Sequence, residues 1–98
     1  MKTGIELIAE ERKEQIEKHG FDLGFDVNFN CGGELREGAL AAIGFSGAAI
    51  LEKFPDTWDD EMKMKIMIKS YRDRLIIAGA LIAAEIDRIQ AINKNHYK

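Results

Sequence analysis

Arg74-Leu75-Ile76-Ile77-Ala78-Gly79-Ala80-Leu81-Ile82-Ala83-Ala84-Glu85-Ile86-Asp87-Arg88-Ile89 is the stretch that decides the fold. It is the longest apolar run in the chain, rich in helix formers and free of proline. It is too long for an ordinary strand, so it reads as a helix. From Leu75 to Ala84 apolar residues surround almost its whole circumference. A helix of that kind is buried on most sides, as at the centre of a small bundle or of an oligomer. The small residues Ala78, Gly79, Ala80, Ala83 and Ala84 let neighbouring backbones come close. Glu85 ends the run yet shares a face with Ala78, Leu81 and Ile92, which makes it a chemical candidate.

The chain has 98 residues and reads as a single helical domain over 1–98. So short a chain buries a modest share of its surface, and a homo-oligomer is expected. The formal net charge of -3 argues against a dedicated DNA-binding surface. The lone Cys31 excludes an intramolecular disulfide and fits a reducing compartment. Met1 to Gly4 leads directly into a charged helix, so no signal peptide is expected. The uncharged run between Arg74 and Glu85 falls short of the roughly 20 residues a membrane span needs. The expectation is a cytoplasmic protein with no membrane partner.

The first helix starts at Thr3, with Glu6 completing a capping box, and stops at Gly20. Its inward stripe is Ile5, Ile8, Arg12, Gln15 and His19, apolar above and polar below. Arg12, Gln15 and His19 therefore face a neighbour or a cleft, and Glu85 is the expected buried partner of Arg12. Gly20 to Gly33 reads as a loop, being crowded with glycine, asparagine and aspartate, while Phe21, Phe25 and Phe29 pin it down. A second helix is expected from Gly33 or Glu34 to Phe54, capped near Asn30 and ended by Pro55. Its core face is Leu35, Ala39, Ala42, Ile43, Ser46, Ala49, Ile50 and Phe54, and Gly38, Gly44 and Gly47 inside it point to close packing. Residues 57–69 read as a short helix capped by Thr57 and then an irregular link. Ser70 with Asp73 caps the last helix, which is expected to end near Asn93 before a disordered tail, 94–98. The sum is an all-α bundle of three to four helices, oligomeric through the small-residue faces of its second and third long helices.

No phosphate loop, nucleophile elbow or Cys/His metal pattern is present, and no catalytic residue is assigned. Glu11-Arg12-Lys13-Glu14-Gln15 reads as E-R-x-x-Q, followed by Gly20-Phe21-Asp22, Gly33-Glu34-Leu35, Trp58-Asp59 and A-G-A-L-I-A-A-E-I-D-R. Together these resemble small helical proteins common in bacteriophages and prophages. The order of pieces is also distantly similar to MazG-type all-α nucleoside triphosphate pyrophosphatases. Glu34-x-x-Glu37 matches the first half of their magnesium-binding pattern, whereas Glu85 is followed by Asp87 rather than by an acid three residues on.

Three readings follow. The first is a non-catalytic protein that sequesters a nucleotide or nucleotide-derived immune signal, an anti-defence role that the phage resemblance implies. Arg12, Arg72, Arg74 or Arg88 meets phosphates, Gln15 and Asn28 hydrogen-bond the ribose or base, Phe25 or Trp58 stacks, and His19 and Glu85 complete the site. This reading needs no cofactor. The second is a MazG-like pyrophosphatase holding magnesium through Glu34, Glu37 and Glu85. The third is a protein-interaction module with no small ligand, whose polar stripe only fixes helix register.

Overall fold

The computed structural model describes residues 1–44 and 54–96. Five helices occupy the described residues: α1 Gly4–His19, α2 Leu23–Phe29, α3 Glu34–Gly44, α4 Asp60–Met67 and α5 Tyr71–His96. Among those residues there is no strand, and the all-α expectation holds.

Local chemistry sets most of the ends. Thr3 accepts from the Glu6 N–H while Glu6 reaches back to the Thr3 N–H, closing the expected capping box. Gly20 ends α1 in the left-handed region at φ 70°, where a β-carbon would be strained. Ser70 Oγ accepts from the Asp73 N–H at the start of α5. The short helix expected in 57–69 is α4, but its cap is Asp59 rather than Thr57. α5 continues to His96, past the expected end at Asn93, so the backbone of 94–96 is helical rather than disordered.

Gly20 to Gly33 is not simply a loop, because it contains α2. Asp22 caps that helix by accepting from the Phe25 N–H at 2.8 Å. Its seven residues are too few to stand alone. Side-chain bonds hold it instead: the fully buried Asp26 takes Arg12 Nη2 of α1 at 3.2 Å and, locally, Asn30 Nδ2 at 2.8 Å. Asn30, expected to cap the next helix, ends α2 and accepts the Trp58 indole N–H at 3.2 Å. Phe21 is buried and Phe25 stacks on it at 5.5 Å, whereas Phe29 is largely exposed.

α5 is the common neighbour of α1, α2, α3 and α4, with its most extensive contact against α3. Buried Ala78, Ala80, Leu81 and Ala84 on α5, and Leu35, Ala39, Ala41 and Ala42 on α3, form the centre of the core. The small-residue faces expected to join separate chains are thus buried within one chain. The opposite side of α5 is open, with Leu75, Ile82, Ile86 and Ile89 all exposed, so the helix is not enclosed on most sides. Ile43, expected in the core, is also exposed. The second-helix positions 46, 47, 49 and 50 lie outside the described residues.

Gly38 shows the close packing that its place in a helix implied. A β-carbon there would overlap the far edge of the Trp58 ring. Gly4 has open space around the same position. Gly38→Ala is therefore expected to destabilise the fold by about 1–3 kcal/mol through overpacking, with Gly4→Ala close to neutral. Chemical denaturation of the two variants beside the parent checks this.

Candidate functional site

α1, α4 and α5 enclose a cleft of about 490 Å³. Its apolar floor comes from Phe21, Trp58, Met62, Ile66, Ile77 and Leu81, and its polar lining from Glu11, Glu14, Gln15, Lys18, His19, Lys65 and Lys69. A second cleft of about 480 Å³ adjoins it, sharing Lys18, His19, Phe21, Trp58 and Met62 and adding Phe25, Phe29 and Asn30.

The periodicity of α1 delivers the polar wall. Glu11 and Gln15 are one turn apart on one face, and Lys18 and His19 lie one turn further on. Gln15 is only 4% exposed. Its amide nitrogen donates to the Ile77 carbonyl at 3.4 Å and to Glu11 Oε2 at 3.5 Å, both long bonds. Its amide oxygen is buried with no hydrogen-bond partner. Burial pushes the Glu11 carboxyl above the ordinary range, and the neighbouring Glu14 adds to the rise. The Gln15 hydrogen bond and the Lys69 charge pull it partly back. Lys18 pairs with Glu14 at 3.2 Å and Lys65 with Glu61 at 3.1 Å, both in solvent. Exposed pairs of this kind are weak and open readily for a ligand.

Of the residues expected to form a site, the structure gathers Gln15, His19, Trp58 and Phe25 around the two adjoining clefts. Arg12 sits behind them, donating to the Phe21 carbonyl at 2.7 Å and to Asp26. Its partner is thus Asp26, not the expected Glu85. Glu85 instead takes a two-pronged bond from Arg88, at 2.6 and 3.1 Å, which raises the Arg88 pKa. Asn28 is exposed and bonds back to the Gly24 carbonyl within α2. Arg74 reaches the Ala42 carbonyl at 3.5 Å and lies over the Tyr71 ring. Asn28, Arg74, Glu85 and Arg88 therefore lie away from the cleft. Glu11, Lys18, Lys65 and Lys69 were missed. Glu11 was legible, because it precedes Gln15 by one turn; Lys65 and Lys69 were not, because their helix and link had no fixed register.

The carboxylates do not fit a magnesium cage. Glu34 Oε1 accepts the Gly32 N–H at 2.6 Å, and Glu85 is taken by Arg88. Among the described residues no three His, Cys, Asp or Glu side chains are grouped to hold a metal ion. No described helix is long and apolar enough to cross a membrane.

Fold and cleft together define an all-α protein with a polar-walled, apolar-floored cavity on one side of its central helix. Comparison with protein-family models, with curated proteins and with solved structures finds no match.

A carboxyl whose pKa is higher folded than unfolded binds its proton more tightly in the folded state. Its contribution to stability then falls as pH rises through that interval. Glu11→Gln removes the burden, so the variant should melt at or above the parent temperature at pH 7. The difference should close as pH drops below about 4.3, the ordinary glutamate value. Thermal melts across that range check it.

Proposed function

We propose that the protein binds a nucleotide or nucleotide-like anion in the cleft beside α1 and does not hydrolyse it. The observation that supports this reading is an apolar-floored cavity with Lys18, His19, Lys65 and Lys69 in its lining. A planar base suits the apolar floor, and Lys18, His19, Lys65 and Lys69 suit phosphate oxygens. The arginines first expected to meet phosphate are engaged elsewhere, so in this reading lysines take that part. The resemblance to small phage-type helical proteins supports sequestration of a nucleotide-derived immune signal, an anti-defence role in the host cytoplasm. The pyrophosphatase alternative loses support with its carboxylates taken or apart.

A homo-oligomer remains part of the proposal, now through the open side of α5. Ile82 and Ile86 border an apolar surface pocket with Leu40 and Ile43 of α3. Sedimentation velocity reads the assembly directly, and a monomer mass at all concentrations removes it.

A thermal-shift panel of nucleotides, with and without magnesium, tests the binding. A ligand at about 100 times its dissociation constant adds about 2.7 kcal/mol of stability. In a domain of this size that is a rise of roughly 10 °C or more. The shift should need no magnesium, and chromatography should recover the ligand intact. Lys69→Glu should weaken binding about tenfold or more, the scale of one charged hydrogen bond. A magnesium-dependent shift with a cleaved ligand would favour hydrolysis, and no shift would move the function to a protein partner.

A further inference from the structure

One face of α5 is left uncovered, and what covers it rests on the homo-oligomer reading above. Leu75, Ile82 and Ile89 recur at seven-residue intervals along α5, two turns apart, so they stand in one row. Ile86, one turn on from Ile82, widens the row. Leu40 and Ile43 of α3 lie beside it, around a surface pocket of about 190 Å³ that they share with Ile82 and Ile86. All six residues are between 37% and 58% exposed. Single exposed aliphatics are ordinary, but a contiguous group of them marks an interaction surface.

The chemistry of the face selects its occupant. α5 carries no charged residue from Leu75 to Ala84, so the centre of the face has no ion to desolvate. Glu85, at its border, is already taken by Arg88 at 2.6 and 3.1 Å. The row is also symmetric in sequence, because Ile82 is seven residues from Leu75 and seven from Ile89. Two copies of α5 laid antiparallel about Ile82 set Ile82 against its counterpart and Leu75 against Ile89 twice over. Charge favours that sense. Residues 72–74 hold two arginines and one aspartate, and residues 85–88 hold two acids and one arginine. An antiparallel pair runs the positive half of each helix beside the negative half of the other, with the helix dipoles antiparallel as well. A parallel pair would set like halves together.

We propose that the open face of α5 meets the same face of a second copy of this chain, antiparallel about Ile82, in a two-fold dimer. The pocket between α3 and α5 receives an aliphatic side chain of the other copy, as a knob enters a hole. The cleft stays clear of this contact: Ile77 and Leu81 in its lining are about 140° and 100° around α5 from Ile82 at 3.6 residues per turn. The dimer therefore carries two clefts, one on each copy.

Sedimentation velocity of the full chain reads the assembly, and cysteine pairing reads its geometry. The parent should sediment as a dimer, and Ile82→Glu, with its helix content verified by circular dichroism, should run at half that mass. In a Cys31→Ser background treated with diamide, Ile82→Cys should cross-link to itself. Leu75→Cys and Ile89→Cys should each stay largely uncross-linked alone and cross-link when the two are mixed. Cross-linking of Leu75→Cys to itself would overturn the antiparallel arrangement and leave the oligomer standing. A dimer mass that survives in folded Ile82→Glu would overturn the α5 face as the contact, again with the oligomer intact. A monomer mass at all concentrations would overturn this inference and the oligomer reading together, and would leave the face to a different protein.

Discussion

Everything in this molecule is placed relative to one buried ion pair, Arg12 with Asp26. The Asp26 side chain is fully buried and that of Arg12 only 13% exposed. Removing such charges from water is expensive, and further hydrogen bonds to both partners offset part of that cost, while Arg12 Nε stays buried without a partner. Arg12 also donates to the Phe21 carbonyl, and Asp26 also accepts from Asn30, which in turn accepts from Trp58. Burial still pushes the Asp26 carboxyl up, against the downward pull of Asn30 and Arg12. The result is one line of hydrogen bonds from α1 through α2 to the indole. Trp58 is then pressed against Gly38 of α3. A charge-assisted network thus fixes the position of the ring that floors both clefts.

The E-R-x-x-Q segment divides its work between two sides of α1. Arg12 turns toward α2 and the buried network, while Glu11 and Gln15 turn toward α5 and the cleft. Fold and site therefore share one helix. A slip in its register would move the Gln15 amide away from Ile77 and the arginine away from Asp26 together.

Much of the architecture was legible from local chemistry. The capping box at Thr3, the glycine stop at Gly20 and the apolar run in α5 each act over a few residues, and each appears in the sequence as a pattern. α2 was not legible, because its composition opposes a helix and a partner far along the chain makes it one. The four-residue spacing of Phe21, Phe25 and Phe29 carried the helical period, masked by the glycines and asparagines between them. The same oversight misassigned the partner of Arg12, since Asp26 lay in what read as a loop and Glu85 lay on a helix. Of the candidate site, the α1 residues Gln15 and His19 were visible as polar positions on an inward stripe. Lys65 and Lys69 were not, because their positions follow from how α4 and the link after it lie against α5.

The topology also shapes how the molecule comes into being. Each of α1 to α4 makes its chief contacts with α5, the last of the five helices in chain order. Before α5 is available, the earlier helices have no common surface to assemble on, and the short ones are unstable in isolation. Folding is therefore a late, collective event, in which docking onto a single C-terminal scaffold encloses the alanine-rich core and forms the cleft in the same step. During synthesis on the ribosome the cleft cannot form until α5 has emerged.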